Sequence, residues 1–159
     1  MAALVATRAT CLRRSVGCVL VNKIGHVLAT GYNGVATGVP HCNEPNKYKA
    51  YKDFGGVVVE AGTYPNKCEG VNAAPGESLD KCGAIHAEQN ALLQCRNVQE
   101  IYACYCTDSP CVTCTKLLMN TSCRRIVFSR AYAHNDPSRK LWRQNQDRSW
   151  IHIGDELHE

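Results

Sequence analysis

His86-Ala87-Glu88 and, downstream, Ser109-Pro110-Cys111-Val112-Thr113-Cys114 bring together the residue types that can do chemistry. One imidazole and two thiolates are donors that zinc takes in tetrahedral geometry. Three protein donors leave a fourth position open for water, which is the arrangement of a catalytic centre. Glu88 stands too close to His86 in sequence to be a natural fourth ligand, but it can exchange protons with that water. Cys-x-x-Cys alone could be a redox pair, half of a structural zinc site or chance. His-x-Glu alone carries little. Their conjunction, with Pro110 before the first cysteine and a helix-like run after each half, points to catalytic Zn²⁺ held by His86, Cys111 and Cys114, with Glu88 as the proton carrier.

The elements that must position these groups fit one domain, 1–159, large enough for a proper core. No apolar run is long enough to cross a bilayer, so no membrane partner is expected. Met1 to Ala6 reads as the start of a helix rather than a signal peptide. Eleven cysteines, an odd number without a secretory signal, favour reduced thiols in a cytoplasmic protein, some of them on metal. The net charge of +4 permits a small anionic substrate. Basic residues are not gathered into a run with interleaved aromatics, so no polynucleotide partner is expected.

Along the chain, Leu4 to Arg14 has helix-forming composition. Val16–Val21 and His26–Thr30 read as a hairpin across the turn residues Asn22–Gly25. The second strand runs into a glycine-bounded loop, Gly31-Tyr32-Asn33-Gly34. From Val39 to Lys81 periodicity fails, broken by Val57–Val59, and so long an irregular segment is usually functional or tied by metal. Ala84 to Leu93 reads as a helix burying Ile85, Leu92 and Leu93 on one face. Ile101–Thr107 is a strand, Cys111–Asn120 a helix with Pro110 at or near its first position, and Arg125–Ser129 a strand. Leu141-Trp142 and Trp150–Ile153 suit a last helix and a last strand. After the first helix, the order β-β-α-β-α-β implies an α/β fold with helices packed on the faces of a sheet. Both halves of the motif then fall at helix N-termini, whose partial positive charge favours thiolates and anions.

The joint spacing, H-x-E followed by P-C-x-x-C, matches the known signature of the zinc nucleobase deaminases. Further segments narrow the likeness: Thr10-Cys11-Leu12-Arg13-Arg14, Val16-Gly17, Thr30-Gly31-Tyr32-Asn33-Gly34, Gly38-Val39-Pro40-His41-Cys42, Cys82, His86–Ala91 and Thr107–Cys111 with Cys114. Together they resemble the deoxycytidylate (dCMP) deaminases of the cytidine-deaminase-like superfamily, from Thr10 to about Tyr132. Ala36 stands where that family often has proline, and the stretch between Cys42 and Cys68 is longer than usual.

The resemblance implies a three-layer α/β/α fold with a central mixed sheet, and hydrolysis of dCMP to dUMP and ammonia. Glu88 would take a proton from water that attacks C4, then return protons to N3 and to the departing amine. The Ala87 N–H would bind the pyrimidine O2, the Ser109 carbonyl the amine and Asn33 the sugar hydroxyl, with Tyr132 lining the base or sugar. Arg13, Arg14 and Arg130 are phosphate candidates. The other readings are a free cytidine or deoxycytidine deaminase, a polynucleotide deaminase and a non-catalytic zinc-stabilised module. Glu88 argues against the last, since a structural site needs no spare carboxylate.

Cys11, Cys42, Cys68 and Cys82, with His41 beside one of them, offer soft ligands from separated segments for a second, structural zinc. The resemblance supports that site. It also implies a homo-hexamer activated by dCTP and inhibited by dTTP, with Mg²⁺ on the triphosphate. Arg13, Arg14, Gly31, Tyr32, Asn33 and Gly34 are the expected effector residues, coupling to substrate through a movable loop. His26, His134, His152 and His158 have no assigned role, and Cys18, Cys95, Cys104, Cys106 and Cys123 suit the core.

Overall fold

The structure, a computed structural model, describes residues 1–45, 51–52, 56, 58–59, 63, 67–74, 76–77, 81–133 and 135–154. In chain order the helices are α1 (Ala2–Ala6), α2 (Ala87–Gln94), α3 (Val112–Met119) and α4 (Asn135–Trp142). The strands are β1 (Gly17–Val21), β2 (Val27–Tyr32), β3 (Gly34–Val35), β4 (Tyr51–Lys52), β5 (Val58–Val59), β6 (Ala84–Ile85), β7 (Ala103–Asp108), β8 (Arg125–Arg130) and β9 (Ser149–His152). Much of the expected Val39–Lys81 excursion, and His134 and His158, lie outside the described residues.

The apolar, partly β-branched run Gly17–Val21 is buried along its whole length. It is a central strand, in the order β2-β1-β7-β8-β9. β1 pairs antiparallel with β2 and β7, whereas β7–β8 and β8–β9 are parallel, so the sheet is mixed. Side chains alternate between its faces. Val19, Val21 and Ala103 meet Ala2 and Val5 of α1. Cys18, Leu20, Cys104, Cys106, Ile126 and Phe128 join the cluster that holds Ala87 and Ala91 of α2, Leu118 of α3 and Trp142 of α4. The expected three layers are present, with one short helix forming a whole outer layer. The two parallel crossovers run through α3 and α4, and connections of one hand place both helices on the same face.

Several boundaries depart from the sequence reading. The first helix ends at Ala6 instead of reaching Arg14; Thr7 Oγ1 donates back to the Leu4 carbonyl at 2.7 Å, and Thr10 N then donates to the Asn33 carbonyl. The expected helix over 84–93 starts at Ala87, because Ala84 and Ile85 pair with Val35 and Gly34. Its buried face is Ala87, Glu88 and Ala91, while Leu93 is exposed. Pro110 lies before the N-cap Cys111 of α3 rather than inside the helix.

The physical reason for the small buried face of α2 is Gly31. A Cβ there would sit 2.2 Å from the Ala87 carbonyl oxygen and 2.4 Å from the Ala91 nitrogen. Helix backbone therefore rests directly on strand backbone, and larger side chains would hold the two apart. Gly31-Tyr32-Asn33-Gly34 is consequently not a loop. Gly31 and Tyr32 end β2, Asn33 is a one-residue break, and Gly34 begins β3.

Gly31→Ala is expected to destabilise the protein by about 1–3 kcal/mol or more, as overpacking does, read as a lower urea midpoint. Gly83→Ala is the control: its added Cβ meets nothing nearer than Val35 Cγ1 at 4.0 Å. That variant should stay within about 0.5 kcal/mol of the parent.

Candidate active site

His86 is the N-cap of α2 and Cys111 the N-cap of α3, so both halves of the motif stand at helix N-termini. Gln89 Oε1 accepts from the His86 N–H at 2.9 Å, which fixes the entry into α2. Ala87 opens that helix, and its N–H has no intrahelical acceptor. Asp108 ends β7, and Ser109-Pro110 carry the chain from strand to α3.

His86 Nδ1 lies 3.5 Å from Cys111 Sγ and 3.5 Å from Cys114 Sγ. Zinc bonds of ~2.3 Å to sulfur and ~2.0–2.1 Å to nitrogen, at tetrahedral angles, set those atoms about 3.6 Å apart. The donor set thus fits zinc in type and in spacing. Cys111 Sγ also accepts from the Cys114 N–H at 3.5 Å. Hydrogen bonding to the Cys114 side chain, helped by His86, pushes the Cys111 thiol down to about 4. The same sulfur–sulfur contact, with burial, pushes Cys114 well up. One thiolate is ready-made, and a metal must displace the proton from the second.

Glu88 follows His86 in the first turn of α2 and is 4 % exposed. Burial raises its carboxyl to about 7, against hydrogen bonding from its own backbone and the pull of His86, which lower it. A carboxyl poised there can both give and take a proton near neutrality.

His86, Cys111 and Glu88 line a cavity of about 340 Å³, together with Ala87, Ser109, Asn33, Tyr132, Arg13 and Arg14. That is at the small end of the range for small-molecule sites. Asn33 is already engaged twice: Oδ1 accepts from the Val16 N–H at 2.8 Å, and Nδ2 donates to the Arg14 carbonyl at 2.7 Å. One lone pair and one N–H remain for a ligand. Ser109 Oγ accepts from the Tyr132 N–H at 2.8 Å, placing the Tyr132 loop over the start of α3.

Asp108 was unforeseen. Only 4 % exposed, it pairs with Arg14 at 2.9 Å and Arg130 at 2.7 Å, and accepts from Thr107 Oγ1 at 3.0 Å. The Arg14 guanidinium also lies over the Tyr132 ring, 5.1 Å from its centroid. A lone acid just ahead of the Ser-Pro-Cys turn was the available signal. Arg13 donates to the Glu77 carbonyl at 3.0 Å and to the Ala74 carbonyl.

The stretch expected as a loop is strand instead: Gly31 and Tyr32 pair with Cys18 and Gly17, and the Tyr32 carbonyl accepts from Asn90 Nδ2 at 2.8 Å. Backbone pairing holds this stretch on one side and α2 lies against it on the other. Cys11 and Cys82 line the cavity, Cys42 is buried and Cys68 half-buried, but no three of them lie within ligand distance of one another. His41 Nδ1 is buried without a hydrogen-bond partner among the described residues.

An α/β sheet thus presents a His-Cys-Cys donor set and a buried glutamate at two helix N-termini, a set whose residue types and spacing suit zinc. The chain belongs to the cytidine and deoxycytidylate deaminase zinc-binding family, whose model matches residues 1–130. It is 36% identical over 134 residues to the deoxycytidylate deaminase of Schizosaccharomyces pombe, covering 83% of this chain and 35% of that protein. To the Saccharomyces cerevisiae deoxycytidylate deaminase it is 32% identical over 143 residues, covering 89% and 39%. The chain thus spans little more than a third of the length of these two yeast relatives. With the deoxycytidylate deaminase of Mycobacterium phage D29 it shares 34% identity over 129 residues, covering 77% of this chain and 84% of the other. Its fold is similar to that of the dCMP deaminase of cyanophage S-TIM5, in complex with dCMP and dUMP, at a TM-score of 0.62 and 22% identity, covering 94% and 90%.

Cys114→Ala is expected to lose bound zinc, and Glu88→Gln to retain it, by metal analysis after desalting. Loss of zinc from Glu88→Gln would make that carboxylate a ligand.

Proposed function

We propose that the chain, as one domain over 1–159, is a zinc-dependent deaminase that converts dCMP to dUMP and ammonia. The carrying observation is the pair of 3.5 Å sulfur–nitrogen separations beside a buried Glu88 in a cavity shared with Arg13 and Arg14. Three relatives named deoxycytidylate deaminase support the substrate.

His86, Cys111 and Cys114 would hold zinc, which would supply Lewis acidity able to bring the pKa of water from ~15.7 towards ~7. Glu88 takes the proton from the attacking water at its carboxylate. It delivers that proton to the ring N3, then takes the second from the new C4 hydroxyl and gives it to the exocyclic amine, which leaves as ammonia, so one residue acts in turn as base and as acid. The Ala87 N–H and the Ser109 carbonyl orient the ring, and Asn33 and Tyr132 bound the sugar side. Arg13 and Arg14 offer positive charge to the phosphate, with Arg14 steered by Asp108.

Ammonia release from dCMP, deoxycytidine, CMP and a cytosine-containing oligonucleotide separates the alternatives. dCMP should turn over fastest, and Glu88→Gln should reduce its kcat by about 10²–10⁴-fold or more. Turnover of the oligonucleotide ahead of dCMP would overturn the substrate.

The finer reading is a cytoplasmic homo-hexamer, activated by dCTP and inhibited by dTTP with Mg²⁺. Its support is the family resemblance and the Arg13-Arg14 segment, which lines the cavity while Asn33 binds its backbone. A second zinc on Cys11, Cys42, Cys68 and Cys82 is proposed on the orphaned His41 Nδ1 and on the shared cavity position of Cys11 and Cys82. For a correctly assembled enzyme, dCTP is expected to lower the dCMP concentration at half-maximal rate and dTTP to raise it. Curves unmoved by either remove the regulation, and one zinc per fully loaded chain removes the second site.

A further inference from the structure

Cys18, Cys104 and Cys106 form a second compact donor group among the described residues. Their sulfurs lie within 4.8 Å of one another. Cys18 and Cys104 are 3.5 Å apart, and Cys104 and Cys106 3.4 Å. The sheet dictates this. Cys104 and Cys106 alternate with Tyr105 on β7 and so share a face, and Cys18 is the register partner of Cys106 on β1. All three are buried, at 0 to 4 % exposure. They share a core cluster with Ala87, the residue between His86 and Glu88.

We propose that these three thiols form a binding site for a neutral trivalent metalloid hydroxide, with arsenous acid as its type. Three considerations select that class. First, no fourth histidine, cysteine or carboxylate atom among the described residues joins the group, so the occupant must be satisfied by three sulfurs. Trivalent arsenic is, because a lone pair fills its remaining direction. Second, tetrahedral zinc would hold sulfurs about 3.8 Å apart, whereas the Cys18–Cys104 and Cys104–Cys106 separations of 3.5 Å and 3.4 Å are shorter. The lone pair of a pyramidal centre compresses its bond angles below the tetrahedral value and draws its ligands together. Third, a divalent cation on three thiolates leaves a net negative charge in a dry core beside Glu88, which is strongly unfavourable. The arsenic exchange leaves none: As(OH)₃ + 3 RSH → As(SR)₃ + 3 H₂O. Three As–O and three S–H bonds break, three As–S and three O–H bonds form, and no oxidation state changes. A small neutral solute also enters a closed core without the desolvation penalty of an ion.

The test uses zinc-loaded enzyme, incubated with arsenite and freed of excess. Arsenic and zinc per chain are measured, and the arsenic ligands are counted by X-ray absorption. The expected result is arsenic on three sulfurs with zinc retained. Arsenic per chain should fall by one in Cys18→Ala and in Cys106→Ala, and stay unchanged in Cys95→Ala, a lone thiol outside the group. Two-sulfur arsenic, zinc released as arsenic is taken up, no uptake, or undiminished uptake in both Cys18→Ala and Cys106→Ala would overturn the site. Should either variant lose its fold, the sulfur count and zinc retention in the parent enzyme decide.

Discussion

The contact on which the site depends is backbone against backbone, where α2 lies on β2 at Gly31. That approach fixes the height of the helix above the sheet, and with it His86 and Glu88 at the helix start. Gly17 makes the corresponding contact on the opposite face, where a Cβ would meet the Ala2 carbonyl oxygen at 2.1 Å. The β1–β2 hairpin is thus held close from both sides by helix backbone, and its two glycines serve contact rather than turning.

On this frame the electrostatics divide into two zones. At the donor set, the hydrogen bond with the Cys114 side chain favours the Cys111 thiolate, beside a carboxyl lifted towards neutrality by burial. At the other side of the cavity, one buried aspartate is shared by Arg14 and Arg130. Two guanidinium groups on one carboxylate leave a net positive charge in a fixed orientation. Asp108 is buried but both guanidinium groups reach solvent, so these pairs serve placement more readily than stability, since solvent screens much of their attraction.

The chemistry was legible in the sequence because it is local. H-x-E and P-C-x-x-C each sit on one helix start, and their donor types need no tertiary information to read. The short apolar, partly β-branched runs and the turn residues between them likewise gave β1, β2, β7 and β8 to within a residue or two. What escaped was set by partners distant in sequence. Ala84-Ile85 has helical composition but is claimed by Gly34-Val35, so α2 begins later than its pattern implies. Gly31-Tyr32 has turn composition but is claimed by β1 and α2. Asp108 looks like a turn residue until Arg14, 94 positions earlier, arrives beside it. The leucines of α2 marked a plausible buried stripe, yet the close approach admits alanines instead.

The pairing of β1 with β7 has a consequence for how the chain folds. The β1–β2 hairpin is local and can form early, but β7 must close a loop of more than 80 residues to reach β1, Cys18 meeting Cys104 across 86 positions. Contacts that distant form slowly, because the entropy of loop closure is lost before they form. Until then the far edge of β1 stands open with Cys18–Val21 along it, an apolar edge able to pair with another chain. α2, which carries His86, lies inside the loop, and α3, which carries Cys111 and Cys114, follows its closing strand. The strand that unites the two halves of the centre therefore also seals that edge, and a chain that fails to insert it loses its site and gains a route to aggregation in a single event.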